Sequence, residues 1–207
     1  MSFKIKDNVN KNFTPIPGGL TRGVLRELYN IGLQKNNFNP EDVKIEPRIL
    51  FVWELPDVKD SAGVPRQISA EYKLSSYVTA KYRKVLESWL SKDFSSEAEV
   101  QDFDPKDLLG KTCMLNLKQS PTKTGGVWTK VDSVMALMPG MAEAPLQGKT
   151  IVYDITCDPL KDIDSLPDRP RTKILESLTY EDRCKDAGVN PVTFTEETDT
   201  SEEELPF

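Results

Sequence analysis

The run at residues 44–55, Lys-Ile-Glu-Pro-Arg-Ile-Leu-Phe-Val-Trp-Glu-Leu, constrains the fold of this chain most. It is dense in β-branched and aromatic side chains and stops at Pro56, so it is a strand rather than a helix. Pro47 has no amide hydrogen to give to a ladder, which places it at a strand entrance or on an edge. A strand this apolar needs partners, and the flanking sequence supplies them. Residues 67–74 alternate Ile68, Ala70, Tyr72 and Leu74 with Ser69, Glu71 and Lys73, the period of a half-buried strand. Residues 23–33 fit an amphipathic helix or a strand; closure by Gly32 and the polar loop 34–42 favours the strand.

The pattern changes after Thr79. Tyr82, Leu86, Trp89 and Leu90 recur at helical spacing, with Thr79 as the candidate N-cap. Short helical turns are expected at 95–100 and after Asp104-Pro105. Gly110 then precedes a fourth strand at 111–118. The turn-rich segment 120–126, Ser-Pro-Thr-Lys-Thr-Gly-Gly, leads as a hairpin connection into a fifth strand at 127–138.

The resulting order is β-β-β-α-β-β. It predicts a mainly β fold, an OB-like barrel of five strands, partly open. The domain spans residues 21–157, with one more strand expected at 149–157. A turn-rich N-terminal arm (1–20) precedes it, and an extension (158–194) packs on the barrel and carries a short helix near 172–178. From residue 195 the sequence has no Lys or Arg and no apolar residue before Leu205. Such a composition buries too little apolar surface to offset ordering entropy, which predicts a disordered acidic tail at 195–207.

Charge is divided unevenly. The formal net charge is −6, yet residues 1–150 carry 21 Lys/Arg against 18 Asp/Glu, and residues 151–207 carry 6 against 15. A weakly basic body is therefore joined to an acidic end. The chain has no histidine, which excludes Ser-His-Asp and Cys-His catalysis and removes the commonest transition-metal ligand. Cys113, Cys157 and Cys184 have neither disulfide-framework nor zinc spacing and read as free thiols of a reducing cytoplasm. No phosphate-binding glycine loop is present. Asp154, Asp158, Asp162 and Asp164 cluster in a Pro-containing loop and read as solvated carboxylates rather than a magnesium site. The N-terminus lacks the apolar region of a secretory signal, and no run reaches the length of a membrane span. The expectation is a non-enzymatic protein without metal or cofactor.

Aromatics interleaved with basic residues are the chemistry-bearing pattern. Tyr29 lies on the first strand, Phe51 and Trp53 on the second, Tyr72 and Lys73 on the third, Tyr77 just beyond it, and Trp128 and Lys130 on the fifth. Loop and strand-end lysines add Lys35, Lys44, Lys111, Lys118 and Lys123. Single-stranded nucleic acid is held by such a mixture, because bases stack on aromatic faces while lysines track phosphates. Core packing competes with stacking for Phe51 and Tyr72, and Tyr82 and Trp89 on the helix are assigned to the core. Trp128, next to the Gly-Gly hairpin, is assigned to the ligand face. At the chain end, Glu202, Glu203, Glu204, Leu205, Pro206 and Phe207 combine charge with one apolar hook, suited to an Arg/Lys-rimmed pocket on a partner.

Two stretches resemble known families. The terminus Glu-Glu-Glu-Leu-Pro-Phe is similar to the acidic tip of bacterial single-stranded DNA-binding proteins. The body resembles bacteriophage single-stranded DNA-binding proteins at 31–34 (Ile-Gly-Leu-Gln), 52–56 (Val-Trp-Glu-Leu-Pro), 86–89 (Leu-Glu-Ser-Trp) and 108–111 (Leu-Leu-Gly-Lys), across roughly residues 20–140. The resemblance implies an OB-fold that coats single-stranded DNA in phage replication, recombination or repair, in the host cytoplasm. It also implies that the tip recruits host or phage replication proteins. A monomer or dimer is the favoured state. The rival reading is an acidic adaptor or DNA mimic that binds replication or nuclease enzymes without touching DNA.

Overall fold

A computed structural model describes residues 14–36, 43–122 and 126–191. The expected acidic tail, Lys123 and most of the N-terminal arm lie outside these residues. The fold is mainly β: an open sheet of six strands with short helices around it. The strands are β1 (Gly19–Asn36), β2 (Lys44–Lys59), β3 (Pro65–Lys73), β4 (Thr112–Pro121), β5 (Val127–Met135) and β6 (Ile151–Asp154). They run in the order β3-β2-β1-β4-β5, all antiparallel, while β6 adds to β1 in parallel.

β2 explains the density of its sequence. Ile49, Phe51, Trp53 and Leu55 point to one core, while Leu50 and Val52 point to a second on the opposite face. A strand buried on both sides is apolar almost without interruption. In the first core, Phe51 meets Trp53 and Tyr72 edge-on, with ring centroids 5.6 and 5.5 Å apart. Helix α1 (Lys81–Leu90) closes this core with Tyr82, Val85, Leu86 and Trp89. Its N-cap is Ala80, without a side-chain hydrogen bond, not Thr79 as its residue type suggests. Helix α2 (Glu97–Asp102) is capped by Ser96, whose hydroxyl accepts from the Glu99 amide.

β1 is longer than the sequence pattern indicates, and it serves two halves of the sheet. Residues 19–24 pair with β4; register shifts at Leu25/Glu27 and Asn30/Gly32 then bend the strand, and residues 27–30 take β6 on that edge. A bulge adds local twist and redirects a strand in this way. Gly19 and Leu20, expected in the arm, are already in β1. Residues before them are tied down too: Ile16 is buried, and its carbonyl accepts from Gln119 Nε2 (3.0 Å) and Thr129 Oγ1 (2.5 Å).

The second core holds the C-terminal extension. Tyr29, Ile31, Leu50 and Val52 pack against Tyr153, Ile155 and residues of α3 (Asp168–Leu175) and α4 (Leu178–Ala187), notably Ile174, Tyr180 and Cys184. The single helix expected near 172–178 is two helices, broken at Ser177. Its hydroxyl donates to Ile174 O (2.7 Å) and accepts from the Tyr180 amide (3.0 Å). Gly32, at φ +73°, passes under α4; a Cβ there would lie 2.7 Å from Thr179 Cβ. Thr179 Oγ1 accepts from the Leu33 amide, and Arg183 Nη1 donates to Ile155 O (2.6 Å) and Asp158 O (2.7 Å).

Because sheet and extension share a core, Ile174→Ala should cost about 2–4 kcal/mol. Urea unfolding followed by both fluorescence and circular dichroism should still give one transition; a separate early transition for the extension would contradict the shared core. Cys113 and Cys184 are buried and Cys157 is exposed. Burial pushes the Cys113 thiol well above its ordinary value, partly offset by the Trp53 indole. A thiol reagent should therefore modify Cys157 alone in the native chain, and all three cysteines only after unfolding. Rapid native reaction at Cys113 would overturn that placement.

Candidate functional site

The β4–β5 ladder brings Lys118 opposite Lys130 and Ser120 opposite Trp128. Directly paired residues project from the same face, so Trp128, Lys130, Lys118 and Ser120 lie together on one surface. Gln119 and Thr129, one residue along, point the other way and hold Ile16. Trp128 is 50% exposed although it sits in a strand, and both lysines are exposed. Pairing of Leu20 with Asn116 carries the surface onto β1, where Leu20 is 55% exposed. No sequence signal singles out Leu20.

Two like charges face each other across this ladder, and neither Lys118 nor Lys130 has an ion-pair partner among the described residues. Like charges directly opposite one another destabilise a sheet. An exposed indole beside them adds hydrophobic surface left in water. An anionic ligand with flat apolar parts would relieve both costs. At the far end of the surface, Arg22 forms a two-point pair with Asp57 (2.8 and 2.6 Å) and donates to Ala142 O (3.2 Å). The Arg22 hydrogen bond holds the Asp57 carboxyl below the usual carboxylate range, against the opposing effect of burial and with a lesser contribution from the Arg22 charge.

The remaining expected residues are not brought together with this surface. Tyr29, Phe51, Trp53 and Tyr72 are buried, which corrects their assignment to a groove. Phe51, Trp53 and Tyr72 face the first core, while the outer face of β1–β2 lies under the extension. Tyr29 there donates its hydroxyl to Glu27 Oε2 (2.8 Å), and burial followed by that contact raises its pKa strongly. Lys73 is held by Glu46 Oε1 (2.9 Å), whose own carboxyl is lowered chiefly by that bond. Lys35 and Lys44 are exposed at the opposite end of β1 and β2, flanking 37–42. Lys111 is exposed in the turn before β4. Tyr77, 66% exposed, rims a cleft of about 760 Å³ between the segment after β3, residues 97–106 and β6; Lys73 lines it as well. Residues 202–207 and Lys123 lie outside the described residues.

The connection from β5 to β6 crosses the outer face of β1 and β2 through a buried charge cluster. Glu54 accepts from the amides of Gln147 (2.7 Å) and Gly148 (3.1 Å), and Arg26 lies 3.5 Å from Glu54 and 3.3 Å from Glu27. A side chain at 148 would collide with Arg26, whose Cζ is 2.4 Å from where a Cβ would stand. Asp154 and Asp158 are engaged locally: Asp158 Oδ2 accepts from the Asp154 amide (2.7 Å), and Asp154 Oδ1 accepts from Thr156. Among the described residues, no group of three or more acidic or thiol side chains is placed to hold a metal ion, and no helix is long and apolar enough to cross a membrane. The chain matches no known family model and no curated protein.

Lys118→Thr should raise stability by a few tenths of a kcal/mol, because it removes a facing like charge. Thermal unfolding checks this, and a loss of stability would show that the two lysines do not repel. Asp57→Asn should cost no more than about 1 kcal/mol at pH 7, since the pair is partly exposed. A depressed carboxyl stabilises above its unfolded pKa of about 3.9 and loses that contribution as pH falls through the folded value. The difference between variant and parent should therefore shrink as the pH drops below about 4; a difference that stays constant to low pH would contradict the ion pair.

Proposed function

We propose that this chain binds single-stranded DNA, largely independently of sequence, across the outer face of β4–β5 and the adjoining start of β1. The observation that carries the proposal is the half-exposed Trp128 beside Lys118 and Lys130, two facing lysines without ion-pair partners among the described residues. Bases stack on the indole, and the lysines neutralise phosphates and release counterions.

The sheet is consistent with an OB-type reading. Its path β3-β2-β1-β4-β5 has a first strand shared between two halves and a helix between the third and fourth strands. In this reading the outer surface of β1 and β2 is covered by the extension, and the ligand is displaced toward β4–β5. The resemblance of the body to phage single-stranded DNA-binding proteins supports a coating role in replication, recombination or repair. Residues 202–207 then serve as the partner-binding tip, offering Phe207 and three glutamates to a basic pocket on a replication protein.

Titration with poly-dT, read by tryptophan fluorescence at several salt concentrations, tests the proposal. Quenching should come from Trp128, and Trp128→Ala should weaken binding by roughly five- to 150-fold, from a stacking contribution of ~1–3 kcal/mol. Replacing Lys118 and Lys130 together by Thr should lower the slope of log K against log salt by about 1.4, roughly 0.7 for each phosphate that a lysine no longer neutralises on a single strand. Parent-like affinity and slope in both variants would remove β4–β5 from the interface.

A further inference from the structure

The cleft of about 760 Å³ has the opposite character to the β4–β5 surface. Its apolar floor includes Val100, Phe103 and Val152, and its rim carries Glu97, Asp102 and Asp154. Glu97 and Asp102 have no ion-pair partner among the described residues, and of the two lysines that line the cleft, Lys73 is already neutralised by Glu46. A phosphate backbone is repelled by such a rim. A cationic segment with apolar side chains is attracted to it.

The chain contains one. Residues 1–6 read Met-Ser-Phe-Lys-Ile-Lys, in which Met1, Phe3 and Ile5 alternate with Ser2, Lys4 and Lys6. In extended backbone that alternation sets an apolar face against a cationic one. The acidic C-terminal residues, by contrast, carry the wrong charge for this cleft. The path also fits. Arg66 Nη1, at the start of β3, holds Thr14 O (2.6 Å), and the cleft begins at Lys73 where β3 ends. Arg66 and Lys73 are seven residue steps apart along the strand, about 23 Å. Residues 7–13 are also seven, and fully extended they reach about 23–25 Å.

We propose that the cleft between residues 97–106 and β6 is a docking site for the chain's own residues 1–6, with Phe3 and Ile5 on the apolar floor and Lys4 and Lys6 against Glu97, Asp102 and Asp154. Docking there covers the apolar floor and leaves the β4–β5 surface free, so it does not depend on what that surface binds.

A nitroxide on Ser2→Cys in the full chain tests this, with Cys157→Ser so that the buried Cys113 and Cys184 are the other thiols. Paramagnetic broadening should remove the amide signals of Asp102, Phe103 and Val152 and spare those of Lys118 and Lys130. The signals should return with Lys4→Glu/Lys6→Glu and at 1 M salt, where screening shortens to about 3 Å. Undiminished cleft signals would overturn the proposal. Broadening that persists in mixed samples, in which the spin label and the isotope label are on different chains, would overturn it in favour of a second copy as the occupant.

Discussion

The bend in β1 is the constraint on which the other elements depend. From Gly19 to Val24 the strand pairs with β4, from Val24 onward it pairs with β2, and past the bulge at Arg26 residues 27–30 take β6 in place of β4. One strand thereby lies in both halves of the sheet, and the first core is enclosed between them with α1 across its opening. The bulge also leaves Arg26 beside Glu27 and Glu54, where it balances two buried carboxylates that would otherwise be costly to desolvate. Of these, Glu54 holds the amides of residues 147 and 148. The connection to β6 is guided over the sheet by the same bend.

Burial of both faces of β1 and β2 leaves their aromatic side chains out of reach of solvent. With the extension over Leu50, Val52 and Tyr29, β1 and β2 expose no aromatic ring among the described residues. Cationic and aromatic groups remain together on β4–β5, at a cost in local stability from the facing lysines. Lys73 and Lys92, by contrast, are each held by a carboxylate, Glu46 and Glu99. Two lysines directly opposite each other, without an ion-pair partner among the described residues, break a local rule of sheet pairing, and breaks of this kind concentrate where a protein meets its ligand.

Much of the fold was legible because its signals are periodic. β3 shows a period of two, α1 places Tyr82, Leu86 and Trp89 at helical spacing, and the Gly-Gly connection marks the β4–β5 hairpin. Helix α4 escaped notice because only Tyr180 and Cys184 are buried on it, too few to set a period, although Ser177 before it and Gly188 (φ +67°) after it are end signals. Trp128, Lys118 and Lys130, singled out in the sequence, share one exposed surface. The site was misread at Phe51, Trp53 and Tyr29. The composition of a strand does not reveal which core each face enters, nor that a segment more than a hundred residues away covers the second one. The pairing of Lys73 with Glu46 on the neighbouring strand was not legible either.

Amide chemical shifts recorded while oligo-dT is added to the intact chain test most directly whether the cationic, aromatic face of β4–β5 is the ligand surface. The perturbed signals are expected to form one continuous patch: Leu20 on β1, Asn116, Lys118 and Ser120 on β4, and Trp128 and Lys130 on β5. Perturbations centred on the acidic cleft around Asp102 and Tyr77, or no perturbation at low salt, would contradict it.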